Sequence, residues 1–156
     1  MSTQEIFSLK LINKTALLKN INNSVIDDFI SKKGKNYWPS IIGRLEVCKS
    51  LKISAKNSNQ FLRNSLLSYY EPNTKFFWTI SHKEDYLITA ISKNKIGIDL
   101  EINIARSEEL FKLFSDQEWQ YFLPRNWSNF YIMLTSKEAC LKALNLTLTA
   151  ISELKI

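Results

Sequence analysis

Ile80-Ser81-His82 opens the stretch that decides the fold, and Ile96-Gly97-Ile98-Asp99-Leu100-Glu101 closes it. Between them lie a polar run, Lys83-Glu84-Asp85, and an apolar segment, Tyr86 to Ser92. The stretch contains the single histidine of the chain and one of its three glycines. Tyr86–Ser92 and Ile96–Ile102 read as two strands of an antiparallel hairpin across the turn Lys93-Asn94-Lys95. Side chains at i and i+2 of a strand share a face, so Asp99 and Glu101 stand together while Ile98, Leu100 and Ile102 face a core. Like charges side by side repel. Either the pair is a solvated acidic face or it meets a hard cation such as Mg²⁺, which takes one or two carboxylates plus substrate phosphates.

Upstream, Phe76-Phe77-Trp78-Thr79-Ile80-Ser81 is strand-like in its aromatic and β-branched content. His82 ends it, as a structural residue or as a protonatable donor at a strand end. Downstream, Ser107 caps a helix through Phe114. Ser115-x-x-Glu118 has the pattern of a capping box opening another, which Pro124 ends. Ser128 or Asn129 then caps a long helix to Leu144. Its stripe is Phe130, Met133, Leu134, Leu141 and Leu144, and Lys137 falls on that stripe. Glu138 and Lys142, four apart, share another face, either as an ordinary helix ion pair or as part of a site.

In the first half, Ile6 to Ile12 reads as a short strand. Ser24 caps a helix from Val25 to Ile30, with Gly34 beyond it. Lys32, Lys33 and Lys35 cluster there, as a solvated helix end or as a phosphate contact. Pro39 suits the first turn of a helix to about Leu51, with Ile41, Ile42, Leu45 and Cys48 on its core face. A second amphipathic helix runs from Ser58 to Tyr69, with Phe61, Leu62, Leu66 and Tyr69 inward, and Glu71-Pro72-Asn73 breaks it.

The chain of 156 residues fits one domain or two small packed halves, and 45% hydrophobic with 12% aromatic residues marks a folded globule. A net charge of +6 favours an acidic partner or anionic ligand. Nucleic acid is disfavoured by dispersed lysines and by the lack of zinc-finger spacing or an RNP-like motif. Cys48 and Cys140 form no metal motif and read as buried free thiols on helix faces, suited to a reducing compartment. The N-terminus shows no basic segment followed by an apolar one, and no run is long enough for a membrane span, so a cytoplasmic protein is expected.

Taken in order, Ile80-Ser81-His82, Gly97-Ile98-Asp99-Leu100-Glu101 and Lys137-Glu138-Ala139-Cys140-Leu141-Lys142 resemble the signature of the 4′-phosphopantetheinyl transferases. The likeness is greatest to the larger, pseudo-dimeric type that serves siderophore, peptide and polyketide synthases. It covers the second half of the chain well and the first half loosely. The resemblance implies an α+β fold of two similar halves packed as an intramolecular pseudo-dimer, with antiparallel strands and long helices. The halves would span about 1–92 and 93–156 of a single domain, 1–156. It implies transfer of 4′-phosphopantetheine from coenzyme A to a serine of an acidic apo acyl or peptidyl carrier protein. In that reaction the serine hydroxyl attacks the β-phosphate and 3′,5′-ADP leaves.

On these positions the resemblance assigns Mg²⁺ to Asp99, Glu101 and Glu138. Phosphate contacts fall to Lys142 and His82, and the nucleotide end of coenzyme A to basic residues among Lys32, Lys33, Lys35, Arg44 and Lys75. The Gly43-Arg44 pair looks like one the family carries, although Arg44 also reads as a solvated arginine. Glu118, Glu138 or a metal-ordered water would take the serine proton; the capping box accounts for Glu118 equally well. Three departures stand out. Leu134 occupies a position where the family commonly has Trp. Asn145 and Thr147 replace a Gly-x-Gly turn, a place that Asn suits better than Thr. The sequence stops at Ile156 where larger members continue with more strands, so an abbreviated second half is expected, as a monomer or as a dimer covering the gap. The rival reading is a catalytically degenerate member serving as a basic binding or adaptor domain for an acidic protein or nucleic acid.

Overall fold

The computed structural model describes residues 6–13, 38–52, 62–63, 69–71 and 74–154. Its strands are β1 (Ile6–Asn13), β2 (Leu62–Arg63), β3 (Tyr69–Glu71), β4 (Phe76–Lys83) and β5 (Tyr86–Ser92). They form one antiparallel sheet in the order β1-β5-β4-β3-β2. The long strands β1, β5 and β4 make its body, and β2 and β3 extend one edge. The helices are α1 (Trp38–Leu51), α2 (Asp116–Trp119) and α3 (Trp127–Leu144), with a 3-10 helix at Glu108–Leu113 and another at Leu148–Ala150. The fold class is therefore α+β, as expected. Among the described residues, 93–154 carry no strand. None of the described helices is long and apolar enough to cross a membrane.

Alternation along β4 and β5 gives the sheet two different faces. Trp78 and Ile91 point to one, where Val47 and Cys48 of α1 join them in a buried cluster. Gly43 permits the close approach of α1: a Cβ there would lie 2.8 Å from Ile80 Cγ2. The buried Glu46 of α1 is met by Lys10 of β1 at 3.5 Å. Thr79, Ser81 and Lys83 point to the opposite face. A second core lies in the C-terminal half, where Phe114, Trp119, Phe130, Tyr131 and Met133 are buried together. Its rings meet at tilted or edge angles, Phe111 with Trp119 at 5.2 Å and Trp127 with Phe130 at 5.3 Å, as ring quadrupoles favour.

The hairpin in the structure is β4–β5, not the one expected between Tyr86–Ser92 and Ile96–Ile102. Both edges of β5 are already paired, with β1 on one side and β4 on the other, so the segment after it cannot join the ladder. Residues 95–107 are instead irregular and cross the sheet face. The helix expected over Ser58–Tyr69 is likewise overturned where the structure describes it: Leu62–Arg63 and Tyr69 are strand. Tyr70 meets Phe77 across β3–β4 at 5.0 Å with the rings tilted by 46°, a cross-strand aromatic contact that outweighs the helical pattern. The expected helix Val25–Ile30 lies outside the described residues.

The long helix starts earlier than expected. Asn126, not Ser128 or Asn129, caps it by accepting a hydrogen bond from Asn129 N. Its stripe buries Phe130, Met133, Lys137 and Leu141, but Leu144 is exposed at the helix end. Cys140 is exposed rather than buried, since it lies at the edge of that stripe on the side of the exposed Leu144, while Cys48 is buried as expected. In α1, Val47 is buried and Leu45 is only half-buried. Asn145 takes the left-handed C-cap, φ 61°, and Leu146 N reaches Leu141 O at 2.9 Å.

The crossing segment touches α3 at Gly97. A Cβ on Gly97 would lie 1.7 Å from Ala139 O and 2.7 Å from Ala143 N, inside the helix backbone. Two alanines four apart, and a glycine facing them, let backbone rest on backbone. Replacing Gly97 with Ala must push the segment off the helix. We expect Gly97→Ala to cost about 3 kcal/mol, the upper end of ordinary overpacking, because the clash is with main chain. Thermal unfolding should then fall by roughly 6–12 °C for a domain of this size. An unchanged melting temperature would show that the contact is dispensable.

Candidate active site

Ser81 and Lys83, two apart on β4, stand beneath Asp99 and Glu101, two apart on the crossing segment. Ser81 Oγ donates to Asp99 Oδ1 at 2.8 Å and accepts from Leu100 N at 3.2 Å. Lys83 Nζ reaches Glu101 at 2.8 Å. The equal spacing matches the segment to the strand without any backbone ladder, and it keeps Asp99 and Glu101 on one side, as the sequence reading required.

Helix α3 completes the cluster. Lys142 Nζ donates to Asp99 Oδ1 at 2.5 Å, to Ile98 O at 3.0 Å and to Ser81 Oγ at 3.2 Å. An ammonium has three donors, and all three are used. The Asp99 side chain is 4% exposed and that of Lys142 13%. Burial pushes the Glu138 carboxyl up to about 7, and the neighbouring charges of Asp99 and Glu101 push the same way, against the pull of Lys142. Asp99 and Glu138 thus lie side by side, and Glu101, paired with Lys83, is near enough to act on Glu138 through its charge.

Asp99 Oδ2 is buried and receives no N–H or hydroxyl donor. A buried carboxylate oxygen left without a donor is costly, and a cation or a shared proton would satisfy it. Among the described residues no group of three His, Cys, Asp or Glu side chains is arranged to hold a metal ion as it stands. Glu101 is turned to Lys83. Mg²⁺ commonly needs only one or two protein carboxylates beside phosphate and water oxygens, and Asp99 with Glu138 fits that donor set.

Glu118 is elsewhere occupied. It completes the capping box of α2, its Oε2 accepting from Ser115 N and Ser115 Oγ, both at 2.9 Å. Its Oε1 meets Lys137 Nζ at 2.6 Å. Burial alone would raise this carboxyl, but the Lys137 ammonium and the Ser115 donors outweigh it and hold it below the ordinary glutamate range. His82 is exposed and, by alternation, lies on the sheet face opposite Ser81. That face is covered by α1, which carries the half-buried Arg44. Lys75 is exposed in the turn before β4, at φ 59°. Lys32, Lys33 and Lys35 lie outside the described residues.

Ser81 and Lys83 were not singled out from sequence as site residues. Lys83 reads as loop, yet β4 runs on to include it. The signal was there in the matched two-residue spacing of Ser81/Lys83 and Asp99/Glu101.

Residues 95–156 match the family model of the 4′-phosphopantetheinyl transferase superfamily. The matched segment holds Gly97, Asp99, Glu101, Glu118, Glu138 and Lys142; Ser81, His82 and Arg44 precede it. No curated protein matches the chain.

The Glu118–Lys137 pair within the matched segment gives a pH signature. A carboxyl depressed on folding contributes stability that is present above its unfolded value, near 4.5, and is lost as pH falls through the lower folded value. Glu118→Gln leaves Lys137 buried beside a neutral partner and should cost about 3 kcal/mol at pH 7. The gap in melting temperature between wild type and Glu118→Gln should shrink as pH drops below 4.5. A gap that stays constant down to pH 2 would refute the ion pair.

Proposed function

We propose that the protein transfers 4′-phosphopantetheine from coenzyme A to a serine hydroxyl of an acidic apo carrier protein, in the cytoplasm and with Mg²⁺. The observation that carries this reading is the Asp99–Lys142–Ser81 knot with Glu138 crowded beside it, inside the segment that matches the superfamily. The larger, pseudo-symmetric subtype, with halves at about 1–92 and 93–156, belongs to the same proposal and rests on the Ser81-His82 motif preceding the matched segment.

In the reaction the serine Oγ forms a bond to the β-phosphorus, the bond to 3′,5′-ADP breaks, and the serine proton passes to a base. Such phosphoryl transfer depends on positioning and charge stabilisation. Asp99 and Glu138, with Glu101 once Lys83 releases it, would hold Mg²⁺, which when bound neutralises pyrophosphate charge. Lys142 is held by three acceptors, so it would contribute its positive charge as it stands and would exchange one of those acceptors to donate a hydrogen bond to phosphate. Without a cation, burial and the charge of Asp99 hold the Glu138 carboxyl up at about 7; a bound cation would draw it to its charged, ligating form, and a metal-ordered water would then suit the role of proton acceptor. His82, Arg44, Lys75 and the Lys32, Lys33 and Lys35 cluster are proposed for the phosphates and nucleotide of coenzyme A. The net charge of +6 suits an acidic carrier.

One feature favours the degenerate alternative, a basic binding domain: Lys83 and Lys142 already neutralise Glu101 and Asp99. Intact mass of apo carrier protein after incubation with this protein, coenzyme A and Mg²⁺ separates the two. We expect a gain of one phosphopantetheine arm that chelator abolishes. No gain across several acidic carriers, with no coenzyme A binding, would select the degenerate reading. Asp99→Asn keeps the shape and the donors' acceptor but removes the charge; kcat/KM should fall by roughly 100-fold or more while the fold is retained.

A further inference from the structure

Lys137 is a charged residue at the centre of an apolar stripe. Its side chain is 1% exposed, between the buried Met133 and Leu141 one turn either side. Its Nζ makes three contacts: an ion pair with Glu118 Oε1 at 2.6 Å, a hydrogen bond to Ile151 O at 3.1 Å, and the Phe114 ring at 5.1 Å. Glu118 is in turn locked to Ser115 by both backbone and hydroxyl. A methionine or leucine at this position would fill the same space, and a buried ion pair replaced by such residues is often no less stable. What the pair adds over an apolar contact is a strong attraction to one fixed point, the carboxylate that Ser115 holds in place.

A fixed point matters here because the next residue is Glu138. Successive residues on a helix are about 100° apart, so the rotation that aims Lys137 at Glu118 also aims Glu138 and Lys142 at Asp99. A helix held only by an apolar stripe tolerates small rotations, since dispersion contacts are undirected and reform. We propose that the buried Glu118–Lys137 pair sets the rotation of α3 about its own axis and thereby places Glu138 and Lys142 against Asp99. Glu118 and Lys137 are then positioning residues that act through α3 and touch no substrate. The kinetic part of this inference rests on the transferase reading above; the geometric part does not.

The test uses the full chain with both partners replaced, Glu118→Leu/Lys137→Met, so that no buried charge is left alone. Circular dichroism should show a folded protein with a cooperative melt. The KM for coenzyme A should stay within about threefold while kcat falls roughly 100-fold, as expected for a misplacement near 1 Å. A crystal structure of the double variant should show α3 rotated and the Lys142–Asp99 bond lost. Wild-type kcat together with an unrotated α3 would overturn the proposal. So would a lowered kcat with α3 unrotated and Lys142 still on Asp99, which would instead make Glu118 a direct participant. Should the double variant not fold, Glu118→Asp takes its place: retaining the charge on a shorter arm, it should keep the pair and draw α3 round, lowering kcat with the KM held. Absence of transfer by the wild type would remove the transferase reading, and the crystal structure alone would then decide the positioning role.

Discussion

Everything in the site hangs on Gly97 lying against the backbone of α3. With a Cβ position only 1.7 Å from Ala139 O, no other residue fits without moving main chain. The contact fixes the distance between two elements that share no hydrogen-bond ladder. Two residues on is Asp99; three residues on from Ala139 is Lys142. Their 2.5 Å ion pair is therefore a consequence of a backbone contact made beside it. Glycine serves here for space and not for unusual φ, and its partners are small for the same reason.

Two lysines five residues apart on α3 have opposite tasks. Lys137 faces the C-terminal aromatic core and is anchored to Glu118 and Ile151 O. Lys142 faces the sheet and is anchored to Asp99, Ser81 and Ile98 O. Between them they tie the helix to both of its neighbours through charge. Apolar packing alone would hold the helix in place but leave its rotation and register less defined, because such contacts lack direction. The pair of anchors gives the intervening Glu138 a defined direction, which a polar site needs more than a core does.

Much of this was legible in the sequence, and the failures share a cause. β5 was bounded correctly because Tyr86–Ser92 is dense in β-branched and apolar residues between polar flanks. The capping box at Ser115 and Glu118 was readable because capping is local chemistry. The left-handed Asn145 was readable for the same reason. What sequence could not show was competition between distant segments. Ile96–Ile102 has strand character, but β1 had already claimed the free edge of β5 from the other end of the chain. Tyr69 has helical spacing to Leu62 and Leu66, but the partner that decides its state is the Phe77–Trp78 strand. For the site, the residue types and their order were readable. The roles of Ser81 and Lys83 were not, since they depend on a segment crossing a sheet face out of register with any ladder.

The charge balance of the site explains why it can be both assembled and reactive. Asp99 and Glu101 each have a lysine, so the folded chain does not bury naked like charges. Lys142 is held by three acceptors and is 13% exposed, whereas Lys83 has Glu101 as its ion-pair partner and is 33% exposed. This half-buried pair is the more solvent-accessible of the two and the more open to exchange. Glu138 has no such complete compensation, and its carboxyl sits near 7. The cluster is thus firm at Asp99–Lys142, looser at Glu101–Lys83 and unsatisfied at Asp99 Oδ2. An added cation would be drawn to the unsatisfied oxygen, and an added phosphate to the lysines. That combination of a fixed dipole, an exchangeable ion pair and an unmet carboxylate is what separates this cluster from an ordinary structural salt bridge such as Glu118–Lys137, where the ammonium is sealed from solvent and the carboxylate is tied to both Ser115 and Lys137.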